Sequence, residues 1–157
     1  MSVDYPSLNS QLAALLANEQ DALANSANFV ALLYAGIPDI NWLGIYVLRD
    51  QELVLGPFQG LAACVRIPLG QGACGAAAQR NETLRVDNVN EFAGHIVCDP
   101  ASKSEIVVPL SIHGELIGVL DIDSPKPSRF GASDQLGMEL LCKTFVQNLQ
   151  QGPGNFI

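Results

Sequence analysis

Residues 91–124 constrain the fold more than any other part of the chain. They contain two apolar runs rich in β-branched residues, at 105–112 and 115–123, separated only by His113-Gly114. Two such runs around a two-residue connection with glycine in second place predict a β-hairpin with a tight turn. The polar segment in front of this hairpin carries one cysteine, Cys98.

The second strand of this hairpin ends in Asp121-Ile122-Asp123, so two carboxylates project from one face of the strand. A regular ladder from a two-residue turn would point Glu105 away from them. Pro109 lies within the first strand, where it cannot donate to a ladder and where a bulge is expected. We therefore predict a β-bulge between Glu105 and the turn, which would gather Glu105, Asp121 and Asp123 on one side.

A thiol on a loop beside clustered carboxylates could support redox or nucleophilic chemistry. The alternative is an ordinary loop cysteine next to solvated aspartates, and this stretch alone slightly favours that alternative. The decision between them depends on the rest of the chain.

Composition narrows the classes of protein that fit. With 157 residues, 48% apolar and 15% charged, the chain predicts one folded domain over 1–157, not a disordered protein. Its apolar runs are shorter than the roughly 20 residues of a membrane helix, and its N-terminus lacks a signal-peptide pattern. The net charge of −8, with eight scattered basic residues, argues against a nucleic-acid groove or an anionic membrane partner. We expect a soluble, cytoplasmic protein.

The four cysteines, at 64, 74, 98 and 142, contain no CxxC pair and do not suggest a disulfide scaffold. Cys142 lies in an apolar helical pattern and is expected in the core. Cys74 follows the glycine-rich turn 70–72 at the predicted start of a helix, where the helix dipole would favour a thiolate. A buried, inert Cys74 is an equally good interpretation, and a phosphate site at this turn is only weakly indicated.

Periodicity predicts an α+β domain. A helical pattern covers 8–35, with Ser7 or Asn9 as the N-cap and a break expected at Asn25-Ser26. A second long helix is predicted over 132–149. The sheet and candidate site occupy 41–123: strands at 41–48, 52–55, 63–67 and 83–86, a short helix from 70 to about 80, the long loop 87–102 and the hairpin. Ser133 and Asp134 are expected to cap the last helix, and 150–157 reads as a frayed tail. The result is a largely antiparallel sheet of five to six strands flanked by helices.

The strand 41–48 has two different faces. Leu43, Ile45 and Val47 share one face, whereas Trp42 and Tyr46 share the other with Gly44 between them. Packing on helices through both faces is one interpretation. The other is that Trp42 and Tyr46 form one wall of a pocket, with space left at Gly44.

Five stretches together resemble a GAF domain and, more closely, the free methionine-R-sulfoxide reductases, which are enzymes built on that fold. The stretches are NWLGIYV, GPFQG, ACVRIPLGQGACG, GHIVCDPASKSEIVVPL and IGVLDIDS, and the resemblance extends over about 41–123. The cysteines at 64, 74 and 98 fall where that family has cysteines. The resemblance implies a GAF-like fold and thiol-dependent reduction of free L-methionine (R)-S-oxide.

In that family the catalytic cysteine corresponds to Cys98, whose thiolate would attack the sulfoxide sulfur, release methionine and leave a sulfenic acid. The resolving cysteine corresponds to Cys64, which would form a disulfide with Cys98. Thioredoxin, or dithiothreitol in vitro, would then reduce that disulfide. Cys74 corresponds to a third family cysteine and is either an alternative resolving thiol or chemically inert.

The family's substrate-binding acids correspond to Glu105, Asp121 and Asp123, and its aromatic wall corresponds to Trp42 and Tyr46. Clustered acids would retain a proton near neutral pH, as protonation of the sulfoxide oxygen requires. The resemblance implies a homodimer and no bound cofactor or metal.

Three alternatives remain at this stage. One is a GAF module that binds a small molecule without turning it over. Another is a metal site made of Cys64, Cys74, Cys98 and His95, against which the scattered spacing argues. The third is a structural dimerisation domain, since GAF domains often pair through their terminal helices.

Overall fold

A six-stranded antiparallel sheet forms the frame of the protein in the computed structural model, which describes residues 2–94, 99–150 and 156–157. Within that part of the chain the sheet order is β3-β2-β1-β6-β5-β4. The predicted α+β class and antiparallel sheet are confirmed. In chain order the elements are α1 (Tyr5–Leu16), α2 (Ala22–Gly36), β1 (Trp42–Arg49), β2 (Glu52–Gln59), β3 (Arg66–Pro68), α3 (Gly72–Arg80), β4 (Leu84–Val86), a 3₁₀ turn (Val89–Glu91), β5 (Ser104–Ile112), β6 (Glu115–Ser124) and α4 (Ala132–Gln150).

The N-terminal helical region divides at a different place from the predicted one. The break lies between α1 and α2, where the Asp21 side chain accepts a hydrogen bond from Ala24 N at 2.8 Å and caps α2. Asn25-Ser26, the expected break, lies inside α2 and is buried. Asn25 is tolerated there because its amide donates to Glu19 O and Asn148 Oδ1, both at 2.8 Å.

The helix caps also differ in part from expectation. Asp4, not Ser7 or Asn9, caps α1 by accepting a hydrogen bond from Ser7 N at 3.0 Å. At the start of α4 the Asp134 carboxylate accepts from Gly131 N at 2.9 Å, so the expected role of Asp134 in capping is confirmed.

The hairpin is confirmed, and so is its bulge. His113 and Gly114 both have positive φ angles, 51° and 79°, as a type I′ turn requires. Leu110 pairs with Gly118 but Ser111 pairs with Leu116, so β6 carries one extra residue. The bulge therefore lies between Glu105 and the turn, although on β6 and not at Pro109. Glu105 is consequently opposite Asp123.

The two faces of the sheet are covered unequally. On one face α1, α2 and α4 enclose an aliphatic and aromatic core that includes Leu43, Ile45 and Cys142, the last as expected. On the other face a smaller cluster forms under α3, and it includes Trp42 and Tyr46. We call these the three-helix face and the α3 face.

Short connections shift some predicted boundaries. The second strand was expected to end at residue 55, but β2 continues through the GPFQG segment to Gln59 and pairs with β1. β3 begins only at Arg66, so Cys64 lies in the connection before it and not in a strand.

The last two residues of the chain contact the rest of the protein, although a frayed tail was predicted over 150–157. The ring of Phe156 meets that of Phe145 edge-on, with centroids 6.2 Å apart, and Arg49 Nη2 donates to Ile157 O at 2.6 Å. Residues 151–155 of the predicted tail lie outside the described residues. Across the part of the chain that is described, none of the helices has the length and apolar character needed to span a bilayer.

Candidate active site

A pocket opens on the α3 face, between the ends of β1, β5 and β6 on one side and α3 with the connection before β3 on the other. It measures about 540 Å³, including the space open to solvent. Its lining combines an aromatic wall, backbone of the glycine-rich turn and a group of acids. The lining residues are Trp42, Tyr46, Ala62, Ala63, Ile67, Gln71, Gly72, Ala73, Cys74, Asp99, Ser102, Glu105, Asp121 and Asp123.

The three predicted acids meet on one wall of this pocket. Asp121 and Asp123 lie two residues apart on β6, and the bulge places Glu105 of β5 opposite Asp123. Glu105 and Asp121 are each only 6% exposed. One oxygen of each, Glu105 Oε1 and Asp121 Oδ1, is buried without a hydrogen-bond partner among the described residues. Buried oxygens without partners are costly and suit a site that a ligand completes.

Burial and mutual repulsion hold protons on these acids. Burial, then the charge of Asp123, raises the pKa of Asp121 to about 7. Burial and the neighbouring Asp121 raise the pKa of Glu105 well above its usual range, and burial with Glu105 does the same for Asp123. The cluster therefore retains protons to a higher pH than isolated carboxyl groups do, and the pKa of Asp121 lies close to neutral.

Cys74 lies beside the acids and is 4% exposed, with its Sγ 4.0 Å from Glu105 Oε2. Burial, together with the charges of Asp121 and Glu105, raises the pKa of this thiol. The expectation that the start of α3 would favour a Cys74 thiolate is therefore wrong, because the carboxylates and desolvation outweigh the helix dipole.

Cys74, Glu105 and Asp121 could together also hold a cation. Atoms of Cys74, Glu105 and Asp121 that can bind a metal lie within 4.8 Å of one another. This set differs from the metal site considered from sequence, of which Cys98 and His95 lie outside the described residues.

The aromatic wall forms as predicted, with one difference. The Trp42 ring stacks on Tyr46 at a centroid distance of 5.9 Å and on Phe58 at 5.4 Å. Gly44 leaves space for the indole itself, because a Cβ there would lie 2.5 Å from Trp42 Cη2 and 2.5 Å from Phe58 Cβ. Sequence analysis did not identify Phe58, since the predicted strand ended at residue 55, before the GPFQG segment.

Both aromatic side chains hold the connection that carries Cys64. Trp42 Nε1 donates to Leu61 O at 3.0 Å, and the Tyr46 hydroxyl donates to Cys64 O at 2.9 Å. Cys64 is partly buried and disulfide-bonded, whereas Cys74 and Cys142 are free.

Two further lining residues were missed by sequence analysis, Asp99 and Ser102. They follow Cys98 in the loop, and no periodic signal marks them. Their proximity to Cys98 in the sequence was the only available indication. Asp99 also accepts a hydrogen bond from Ala101 N at 2.8 Å, which stabilises a turn at this end of the loop.

The sequence and fold of the chain match a known family. The model of the GAF domain matches residues 10–149. The chain belongs to the GAF domain family.

Individual members of that family are similar to this chain over most of its length. The free methionine-R-sulfoxide reductase of Escherichia coli is 53% identical over 87% of this chain and 83% of its own length. The enzyme of the same name from Saccharomyces cerevisiae is 44% identical over 77% of this chain and 70% of its own. The fRMsr of Staphylococcus aureus, solved in complex with substrate, superimposes with a TM-score of 0.91 at 44% identity, covering 95% and 97% of the two chains. Within the GAF family, the chain therefore belongs with the free methionine-R-sulfoxide reductases.

Proposed function

We propose that this protein reduces free L-methionine (R)-S-oxide to methionine. The observation that carries the proposal is the cluster of Glu105, Asp121 and Asp123 with its raised pKa values. One oxygen each of Glu105 and Asp121 also lacks a hydrogen-bond partner among the described residues, and such a cluster fits a small zwitterion with a basic sulfoxide oxygen. Membership of the reductase family supports the same activity. The R configuration and the restriction to the free amino acid come from the relatives alone.

The acids supply a proton at one end of the substrate and charge at the other. Sulfoxide sulfur becomes electrophilic when its oxygen is protonated, and a carboxylic acid that keeps its proton near pH 7 can provide this. We assign that role to Asp123 with Glu105, and the binding of the substrate ammonium to the remaining charge, including Asp121. Trp42 and Tyr46 would hold the S-methyl group against their ring faces.

The thiol step then follows from the resemblance. The Cys98 thiolate attacks the sulfur, the oxygen is transferred and protonated, and methionine leaves while Cys98 becomes a sulfenic acid. The Cys64 thiol condenses with it and releases water, giving a Cys64–Cys98 disulfide. A dithiol, thioredoxin in the cell or dithiothreitol in vitro, reduces this disulfide and becomes a disulfide itself.

The state of the other cysteines is consistent with this pairing. Cys64 is disulfide-bonded, whereas Cys74 and Cys142 are free, which supports a redox role for Cys64. The burial and raised pKa of Cys74 disfavour a nucleophilic role for it in this state. The role of alternative resolving thiol would require the site to rearrange.

Three further expectations belong to this proposal: a homodimer, a cytoplasmic location and thioredoxin as partner. The homodimer would form through the terminal helices, by analogy with other GAF domains. Size-exclusion chromatography with light scattering measures the mass in solution, and a mass near 16.7 kDa would contradict a dimer.

The test of the activity is methionine release with dithiothreitol as reductant. Wild type, Cys98→Ser and Cys142→Ala are compared on the free R-sulfoxide, the free S-sulfoxide and a peptide-bound sulfoxide. The expected result is turnover of the free R form alone, lost in Cys98→Ser and retained in the Cys142→Ala control. Binding of the sulfoxide without turnover would favour the alternative, a ligand-binding GAF module.

A further inference from the structure

Asn41 connects the loop that carries Cys98 to the acid cluster, although it does not line the pocket. Its side-chain Nδ2 donates to Asp99 Oδ2 at 3.0 Å and to Ser102 Oγ at 3.1 Å. Its backbone N–H donates to Asp123 O at 2.9 Å. The residue directly before β1 is therefore bonded to two loop residues and to the strand that bears Asp123.

The direction of the Asn41 amide is fixed by these partners. A rotated amide would place Oδ1 against the Asp99 carboxylate, where two acceptors would repel each other. In the observed orientation Oδ1 is buried without a partner among the described residues. Among the residues that the structure describes, one acceptor of Asn41 is thus unsatisfied while both amide hydrogens are used on the loop.

Ser102 links Asn41 to the Asp123 side chain through a further hydrogen bond. Because its hydroxyl oxygen accepts a hydrogen bond from Asn41, its own hydrogen is free to point to the Asp123 carboxylate. That hydrogen bond lowers the pKa of Asp123, against the raising effects of burial, Glu105 and Asp99. The charged groups around Asp123 are Glu105 on β5, Asp121 on its own strand and Asp99 on the loop.

We propose that Asn41 is a positioning residue of this enzyme, which holds the segment directly after Cys98 in register with the acid Asp123. The inference rests on the proposed function. Attack on a sulfoxide needs the sulfur nucleophile and the proton donor on the same substrate at once, and small misplacements of reacting groups reduce rates strongly. Asn41 supplies that register through Asp99, the neighbour of Cys98, and through Ser102.

The test uses Asn41→Ala, Ser102→Ala and Ser102→Thr in the full chain. Ser111→Ala is the matched control, because the Ser111 hydroxyl donates to Asn81 Oδ1 at 2.8 Å near the opposite end of β5. The first measurement is methionine formed in a single turnover by the reduced protein, across substrate concentration and pH. The second is the titration of Asp123 followed by carboxyl-carbon NMR.

Asn41→Ala is expected to lower the single-turnover rate about tenfold to a hundredfold with the half-saturating substrate concentration within about threefold. Ser102→Ala is expected to raise the titration midpoint of Asp123 and to move the basic limb of the pH–rate profile upward. Ser102→Thr should restore both, and Ser111→Ala should change neither. General loss of folded protein would lower the rate without moving the basic limb of the pH–rate profile. An upward shift of that limb in Ser102→Ala therefore distinguishes the proposed role from a loss of stability.

Wild-type rates in Asn41→Ala, or an unchanged Asp123 midpoint in Ser102→Ala, would overturn the inference. The NMR titration keeps it separate from the proposed function. If wild type turns over no sulfoxide but Asp123 still titrates higher in Ser102→Ala, the function fails and the physical link stands. If wild type turns over normally and the titration does not move, the link fails alone.

Discussion

The two faces of the sheet are made by the same strands and differ in almost every other respect. On the three-helix face the side chains of β1, β5 and β6 are aliphatic, and Phe29 stacks on Phe145 with ring centroids 4.3 Å apart. On the α3 face the alternate positions of the same strands carry Trp42, Tyr46 and three acids under a nine-residue helix. Three helices close one face, and one short helix leaves a pocket on the other.

The difference shows how period-two alternation separates stability from chemistry. Leu120 and Ile122 are completely buried on the three-helix face, while their neighbours Asp121 and Asp123 face the pocket. The first face can carry the hydrophobic stabilisation that the second gives up when it buries charge. Matched substitutions should therefore affect mainly stability on the three-helix face and mainly activity on the α3 face.

The largest effect is expected at Glu105. Glu105→Gln removes an acid that cannot be replaced by an amide in proton transfer, and we expect kcat/KM to fall about a thousandfold. Steady-state methionine release measures it. Glu115→Gln, at the exposed start of β6, is the control and should retain wild-type activity. Equal losses in both variants would show that the α3 face has no special role.

Asp121→Asn is expected to stabilise the protein while it impairs activity. The folded protein holds a proton on Asp121 up to about pH 7, whereas the unfolded chain releases it near 3.8. The unfolded state therefore binds fewer protons in this interval, so the Asp121 contribution to stability falls as pH rises from about 4 to about 7.

Asparagine removes that penalty, and the free energy of unfolding at pH 8 should rise by up to about 4 kcal/mol. Urea denaturation at pH 4 and pH 8 measures it, with exposed Asp87→Asn as control. A wild-type protein that gains stability over this pH interval, with no difference from Asp121→Asn, would contradict the burial of charge.

A pair of glycines compares the faces directly. A Cβ at Gly44 would displace Trp42 in the pocket wall, and a Cβ at Gly137 would collide with the Tyr5 ring on the three-helix face. Both alanine variants should lose about 1–3 kcal/mol of stability through overpacking. Gly44→Ala alone should also raise KM, about tenfold. A comparable rise in KM for Gly137→Ala would weaken the separation of the faces.

The smallest effect is expected for Tyr46→Phe. It removes the hydroxyl that donates to Cys64 O and should cost about 1 kcal/mol. KM should change less than threefold, while closure of the Cys64 disulfide, followed by free-thiol titration after substrate addition, should slow severalfold. Tyr34→Phe, on the three-helix face, is the control variant and should leave the rate of disulfide closure unchanged.

Much of this arrangement could be predicted from sequence because it follows from local patterns. The hairpin has its glycine turn. A bulge between Glu105 and the turn was predicted correctly, but the reason given for it, Pro109, was wrong, because the ladder is regular through that residue. Side-chain alternation in β1 separated Trp42 and Tyr46 from their aliphatic neighbours. These are consequences of strand geometry and need no long-range information.

The parts that failed depend on partners distant in sequence. Asn25 inside α2 is satisfied by Asn148 of α4, which a local propensity argument cannot see. Cys74 was assigned a favourable helix dipole, but its environment is set by acids from β5 and β6. Asn41 belongs to the strand pattern by its position, and its bonds to Asp99 and Ser102 appear only in the folded chain.

The central claim is that the acids of the α3 face and the thiols around them perform one reaction. The most direct measurement is a single turnover: fully reduced protein is mixed with excess free R-sulfoxide and no reductant, and methionine and free thiols are counted. We predict about one methionine per chain and the loss of two thiols, with Cys64 and Cys98 joined in the peptide map. Methionine formed without loss of thiols, or no methionine from a protein that binds the sulfoxide, would contradict the account.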